Sequence, residues 1–248
     1  MQITRLQAFA IHLGISLVIF LVLLAVLVFD WYRFPLFSIE GGWKAIQIIA
    51  GCDIVLGPLL TLIVYKPGKP HLKLDLSIIA AIQFAALVSG TVITYLQRPV
   101  LMVYAEERFH SLTADYVRMA GIKPDQLERF RTMPYPLAIV RLPDDDEERR
   151  KVRIASIGSG GLYLRGDLFE ARNAQYLNDA NKHSLDIEKL AADSPVAIDA
   201  LNDFKLRHGA LDGYYFLPLH GRYQRVILAL RRSDGSVVDT LRIRPPEA

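Results

Sequence analysis

One carboxylate stands in the middle of a long apolar stretch: Asp53, within Gly51-Cys52-Asp53-Ile54-Val55-Leu56-Gly57-Pro58-Leu59-Leu60-Thr61. An ionised carboxylate at the centre of a membrane-crossing helix costs at least about 2.5–3.5 kcal/mol, so it must face another helix or water rather than lipid. Gly57 and Thr61 follow at i+4 and i+8 and share its helical face. Gly57 lets a neighbouring backbone come close, and Pro58 removes the bond to the Ile54 carbonyl and predicts a kink. Three chemistries compete for Asp53. It can hold helices together or grip a partner's helix, pass a proton or ion, or cleave peptides as one of two paired aspartates. The last needs a second intramembrane aspartate, which the sequence lacks. The relay lacks a second buried carboxylate, so the assembly role is favoured.

Elsewhere the sequence offers little chemistry. His110, His183, His208 and His220 are scattered, without a metal spacing such as H-E-x-x-H, and are read as surface or turn residues. Gly158-Ser159-Gly160-Gly161 lacks the Lys-Ser/Thr ending of a phosphate loop and the five-residue nucleophile elbow, and reads as a turn. Cys52 is the only cysteine, which rules out an intramolecular disulfide and a cysteine-rich metal site. No catalytic residue, metal or cofactor is expected.

The elements that must position Asp53 are membrane spans. Up to Gln97 the chain holds six Lys/Arg and four Asp/Glu, while the other 23 basic and 22 acidic residues lie beyond it. Runs at about 6–29, 45–65 and 76–97 are apolar enough, and long enough, to cross a bilayer. The first lacks a small-residue cleavage site and is read as uncleaved. Trp31, Tyr32, Trp43, Tyr65 and Tyr95 flank the runs, where amphipathic rings favour the headgroups. Lys66, Lys69 and Lys73 crowd the second short loop, which places it, and the N-terminus with Arg5, in the cytoplasm. The third span then delivers the remainder to the periplasm, if the cell is bacterial. Counting depth puts Ser16 and Ser89-Gly90 level with Asp53, with His12 and Gln83 nearer the cytoplasm. The hydroxyls can donate to the carboxylate, and Gly90 can make room for it.

These residues resemble a known family. The opening Ala8-Phe9-Ala10-Ile11-His12-Leu13, then Gly41-Gly42-Trp43, the Asp53 to Val64 stretch, Lys66-Pro67-Gly68-Lys69 and Arg98-Pro99-Val100 are similar to the TfpX/TfpZ-type type IV pilin accessory proteins over roughly residues 5 to 110. The resemblance implies an inner-membrane protein that supports type IV pilin stability or pilus assembly by binding pilin, not by catalysis. It carries no assigned binding residue, only the motif Gly42, Trp43, Asp53, Gly57 and Pro58. The alternatives are a membrane-tethered periplasmic enzyme and a small transport or sensor subunit of a larger complex. Nucleic acid is not expected as a partner, because the charges beyond Gln97 are balanced and alternate in sign.

From Arg98 onward strand and helix signals mix, giving an expected fold of three N-terminal transmembrane helices (1–97) plus a soluble α+β domain (98–248) that ends in an antiparallel β-meander. Val100 to Tyr104 and Pro136 to Leu142 read as strand-like, and Pro124 to Phe130 as a short helix. Asp144 to Arg150, acids first and bases last, suits a helix start. Leu162-Tyr163-Leu164 reads as a strand, and Ser184 as the cap of a helix through Leu190. Ser194-Pro195 starts a helix that runs to His208 and stops at Gly209. Strands Tyr214 to Leu219, Tyr223 to Leu230 and Ser236 to Ile243 follow, joined by turns at Gly221 and Gly235, with a short Pro245-Pro246 tail. Their edges offer a place for a partner's strand to add.

Overall fold

A computed structural model describes residues 3–130, 136–192 and 194–246. The chain divides into two compact units: Met1–Arg33 with Gly41–Arg98, and Phe34–Glu40 with Pro99–Ala248. The second is not one stretch of chain. It takes seven residues from the connection between the first two long helices.

The first unit is built from three helices, Arg5–Trp31, Gly42–Val64 and Leu72–Leu96, each long and apolar enough to cross a membrane. Thr4 and Gln7 form a reciprocal capping box at the start of the first, satisfying amides that the helix itself leaves open. The third helix begins four residues ahead of the expected position. Lys73 and Asp75 lie inside its first turn, with Lys69 Nζ 2.7 Å from Asp75. Charged groups at a helix end reach back toward water, so the helix starts before the uncharged run does. At the far end the Tyr32 hydroxyl donates to the Thr94 carbonyl at 3.2 Å, and Trp31 meets Tyr95 edge to face.

The second unit is organised by one seven-stranded mixed sheet: β1 Pro99–Ala105, β2 Arg108–Thr113, β3 Leu137–Val140, β4 Phe169–Glu170, β5 Tyr214–His220, β6 Arg225–Arg231 and β7 Val237–Leu241. Their spatial order is β4-β3-β1-β2-β5-β6-β7. β1 with β3 and β2 with β5 run parallel, and the other neighbours antiparallel. The expected terminal meander is therefore one end of a larger mixed sheet, because β5 pairs onward to β2. The β1–β2 hairpin turns on Glu106 and Glu107, both with positive φ (51° and 67°), the backbone hand that a tight hairpin requires.

Alternation along the strands gives the sheet two apolar faces. One carries Met102, Tyr104, Phe109, Leu217 and Leu228, and is covered by Tyr176 and Ala180 of the helix Ala174–Lys182 and by Leu36 and Ile39. The other is packed in two patches. Leu101, Val103 and Ala138 lie with Val117 and Phe130, while Phe216, Ile227 and Leu241 lie under the helices Ile187–Ala191 and Pro195–His208. Leu36 is fully buried, and burying such a side chain contributes about 1.5–3 kcal/mol.

Pro195–His208 matches its expected bounds and stops at Gly209, φ +82°. Leu162–Leu164 is a 3-10 turn rather than a strand; Tyr163 and Leu164 pack against the face that carries Leu101 and Val103 instead of adding to an edge. Ser184 is not a helix cap. Its hydroxyl accepts from the Phe216 amide at 2.9 Å, and Asp186 caps Ile187–Ala191.

Candidate functional site

The second long helix is regular from Gly42, widens into a π turn over Gly51–Leu56, and resumes as Gly57–Val64 with Pro58 in its first turn. Pro58 has no N–H to give to the preceding turn. The helix accommodates that loss by widening rather than by the simple bend expected from sequence; such π segments are frequent at functional sites. Asp53 lies in the widened turn and is 7% exposed.

Ser16 Oγ and Gln83 Nε2 both donate to Asp53 Oδ1, each at a long 3.5 Å. Oδ2 is buried and meets no partner among the described residues. Two turns further along the same face, Thr61 Oγ1 lies 2.6 Å from His12 Nδ1. The structure thus joins four of the expected residues, Ser16, Asp53, Gly57 and Thr61, in one polar seam. Gly57 makes room for a side chain rather than a backbone: a Cβ there would overlap the Gln83 amide. Ser89 is exposed, and Gln83 takes the place expected of it. The earlier start of the third helix explains the exchange. Eleven residues separate Asp53 from Val64, and eleven separate Leu72 from Gln83. Gly90 lines a small cavity beside Asp53. Of the motif residues, Gly42 and Pro58 are buried and Trp43 is 58% exposed.

The second unit holds a cleft of about 480 Å³ at the carboxyl ends of the parallel strands β1 and β3. Tyr104, Arg141, Arg149, Arg153, Asp179 and His183 are among its walls. The Tyr104 hydroxyl donates to Asp179 Oδ2 at 2.7 Å, and the His183 ring nitrogens lie 3.2 Å from Glu107 and 3.4 Å from Asp179. Burial, followed by the neighbouring Asp179 carboxylate, holds the Tyr104 phenol well above its usual range, so the group is a fixed donor rather than a base.

The histidines of this unit are more enclosed than sequence suggests. His110 on β2 stacks on Tyr163 with ring centroids 4.0 Å apart and faces His220 across the β2–β5 register. Its buried Nε2 has no partner among the described residues. Burial, then His220 and Arg108, pushes its pKa down to about 4. His208 pairs with the buried Asp239 at 2.8 Å, alongside Arg207. Ser159 donates to the carbonyls of Ala155 and Ser156 at a helix end, which is a capping geometry and not that of a nucleophile. Among the described residues no group of three or more His, Cys, Asp or Glu side chains could hold a metal ion.

Glu40, 5% exposed, completes the inserted segment. The Arg222 amide donates to its carboxylate at 3.2 Å, and the Tyr223 amide to the Ile39 carbonyl at 3.1 Å. A side chain on Gly221 would overlap Ile39. Burial raises the Glu40 carboxyl, and the Arg222 amide, the Ser111 hydroxyl and the Arg222 charge oppose that rise. Sequence reading missed this site. The available signal was the apolar Phe34-Pro35-Leu36-Phe37 run inside a connection between spans.

Compared with known proteins, the chain is 36% identical over 147 residues to the fimbrial assembly proteins of serogroups E1 and I of Dichelobacter nodosus, covering 57% of this chain. It spans 56% of the length of those two relatives. The fimbrial assembly protein of serogroups C1 and C2 of the same organism is 40% identical over 97 residues, which is 38% of this chain and 73% of that relative. No family model matches the chain, and no solved structure matches it.

Proposed function

The chain belongs to the family of these fimbrial assembly proteins, and from that premise we propose that it is a TfpX/TfpZ-type accessory factor of the bacterial inner membrane that binds type IV pilin. It supports pilin stability and pilus assembly by contact rather than by catalysis. Its three long helices cross the bilayer, with the N-terminus in the cytoplasm and the C-terminal unit in the periplasm.

The observation that carries this reading is Asp53, a buried carboxylate held by donors on two other membrane-type helices with one oxygen left over. A group that costly to bury is retained for what it grips. The proposed topology has support of its own. Phe34–Glu40 and Pro99–Ala248 form one compact unit, so both lie on the same side, as three crossings require.

The test is deletion of the gene in a piliated strain, with complementation by the tagged full chain. Surface pili counted by electron microscopy and pilin measured by immunoblot should fall on deletion and recover on complementation, and pilin should copurify after brief cross-linking. Normal piliation in the deletion strain, with no pilin recovered, would overturn the reading.

The cleft bounded by Arg141, Arg149 and Arg153 favours a second reading, a membrane-tethered unit that binds or modifies an envelope component. Under it, Arg153→Ala removes function while pilin copurification persists.

A further inference from the structure

The unmet demand in the first unit is an acceptor without a donor. Asp53 Oδ1 is shared by Ser16 and Gln83, while Oδ2 is buried with no partner among the described residues. Asp53 lines a cavity of about 20 Å³ between the second and third helices, together with Ile49, Cys52, Gln83, Ala86 and Gly90. Ala86 and Gly90, one helical turn apart, give the third helix a small-residue track along this cavity. A Cβ added at Gly90 would meet nothing within 4 Å, so among the described residues no side chain occupies the space over Gly90, and Leu87 flanks the cavity. Ile48, 64% exposed, forms the apolar rim.

A buried carboxylate oxygen left without a donor is costly. In hydrocarbon no bulk water can supply one, and lipid tails carry none. Small residues are what allow a second helix to approach closely within a bilayer. We infer that the Ala86–Gly90 groove receives a transmembrane helix of the partner, which brings a small hydrogen-bond donor, a hydroxyl or a primary amine, to Asp53 Oδ2. This rests on the reading that the partner is pilin, and it assigns the contact to one face of the helical unit.

The experiment uses the full chain in piliated cells, with a photo-crosslinking amino acid at Ile48 on the rim or at Val92 on the opposite side of the third helix. The Ile48 probe should capture pilin and the Val92 probe should not. Two substitutions in the Ile48-probe background should each reduce the adduct: Asp53→Asn by about tenfold or more, the expected loss for one charge-assisted bond, and Gly90→Leu at least as far, by blocking the groove. Asp53→Asn keeps Oδ1 for Ser16 and Gln83 but turns Oδ2 into a donor. Gly90→Leu fills the track without touching the bundle. Melting curves of both variants in detergent should match the parent. Adducts that persist in both variants, or that form equally at Val92, overturn the groove assignment. Pilin that copurifies with no adduct at Ile48 also overturns it, leaving only a water or nothing at Oδ2, while the pilin-binding reading stands. Failure of pilin to copurify at all sinks that reading itself.

Discussion

The side-chain amide of Gln83 occupies the volume that a side chain on Gly57 would need, and from there it donates to Asp53. The two residues sit on different helices, so the absence of one side chain decides where another can reach. Gly57→Ala should therefore displace Gln83 and remove one of the two donors to Asp53 Oδ1. Ser16 still serves that oxygen, so the expected cost is that of one hydrogen bond, about 0.5–1.5 kcal/mol, read as a lower melting temperature in detergent. Gln83→Leu should behave similarly. A Gly57→Ala protein that melts with the parent would show that Gln83 has another way to its partner.

A second prediction concerns the inserted segment. Leu36→Ala, in what looks like a connecting loop, should destabilise the C-terminal unit by about 2–5 kcal/mol, as a fully buried leucine does. Limited proteolysis of the detergent-solubilised chain, mapped by mass spectrometry, would show cleavage rising first between residues 99 and 246. Unchanged protease resistance there would mean that the segment is dispensable.

The three long helices were legible in sequence because runs apolar and long enough to cross a bilayer are not easily confused with anything else, even with Asp53 inside one of them. Their ends were less so. The uncharged run starts at Leu76 and puts Ser89 level with Asp53, whereas the helix itself starts at Leu72 and puts Gln83 there. The strands from Tyr214 onward and the helix from Pro195 carried their own turn and cap signals. The hairpin at Glu106–Glu107 did not, since no glycine or asparagine marks it, and β2 was not foreseen. The helix Ala174–Lys182 was also missed. The place of Leu36 and Ile39 in the sheet core is a tertiary pairing that no local pattern encodes.

Stability should fall in mild acid, because burial holds down both His110 and its neighbour His220. An unfolded histidine titrates near 6.5, whereas His110 in the native chain is held down to about 4. Between those values the unfolded state binds the extra proton, so stability is full above about pH 6.5 and is lost as pH falls toward 4. The span is on the order of 3 kcal/mol. Glu40, whose carboxyl is raised, acts with the opposite sign, because the native state takes up its proton first. His110→Phe keeps the stack on Tyr163 and removes the titration, so its melting temperature should vary less between pH 6.5 and 4. Parallel curves for parent and variant would assign the acid sensitivity elsewhere.

The proposed topology predicts a labelling pattern. With Cys52 replaced by serine, a cysteine at Leu206, 86% exposed, should react with an impermeant maleimide in cells whose outer membrane is permeabilised. A cysteine at His71 should react only after the inner membrane is opened. The reverse pattern would invert the orientation.

The carboxylate of Glu40 and the amide of Arg222 meet across 182 positions of sequence, which sets an order on synthesis. Leu36 and Ile39 emerge early, after the first helix, while the strands and turn that cover them are made last. Until Arg225–Arg231 has been translated, the early segment has no complete surface to close on. A chain that ends before Gly221 leaves those apolar residues uncovered and open to proteolysis. Closure of Phe34–Glu40 onto Gly221 and Arg222 therefore waits on a part of the chain made 182 positions later.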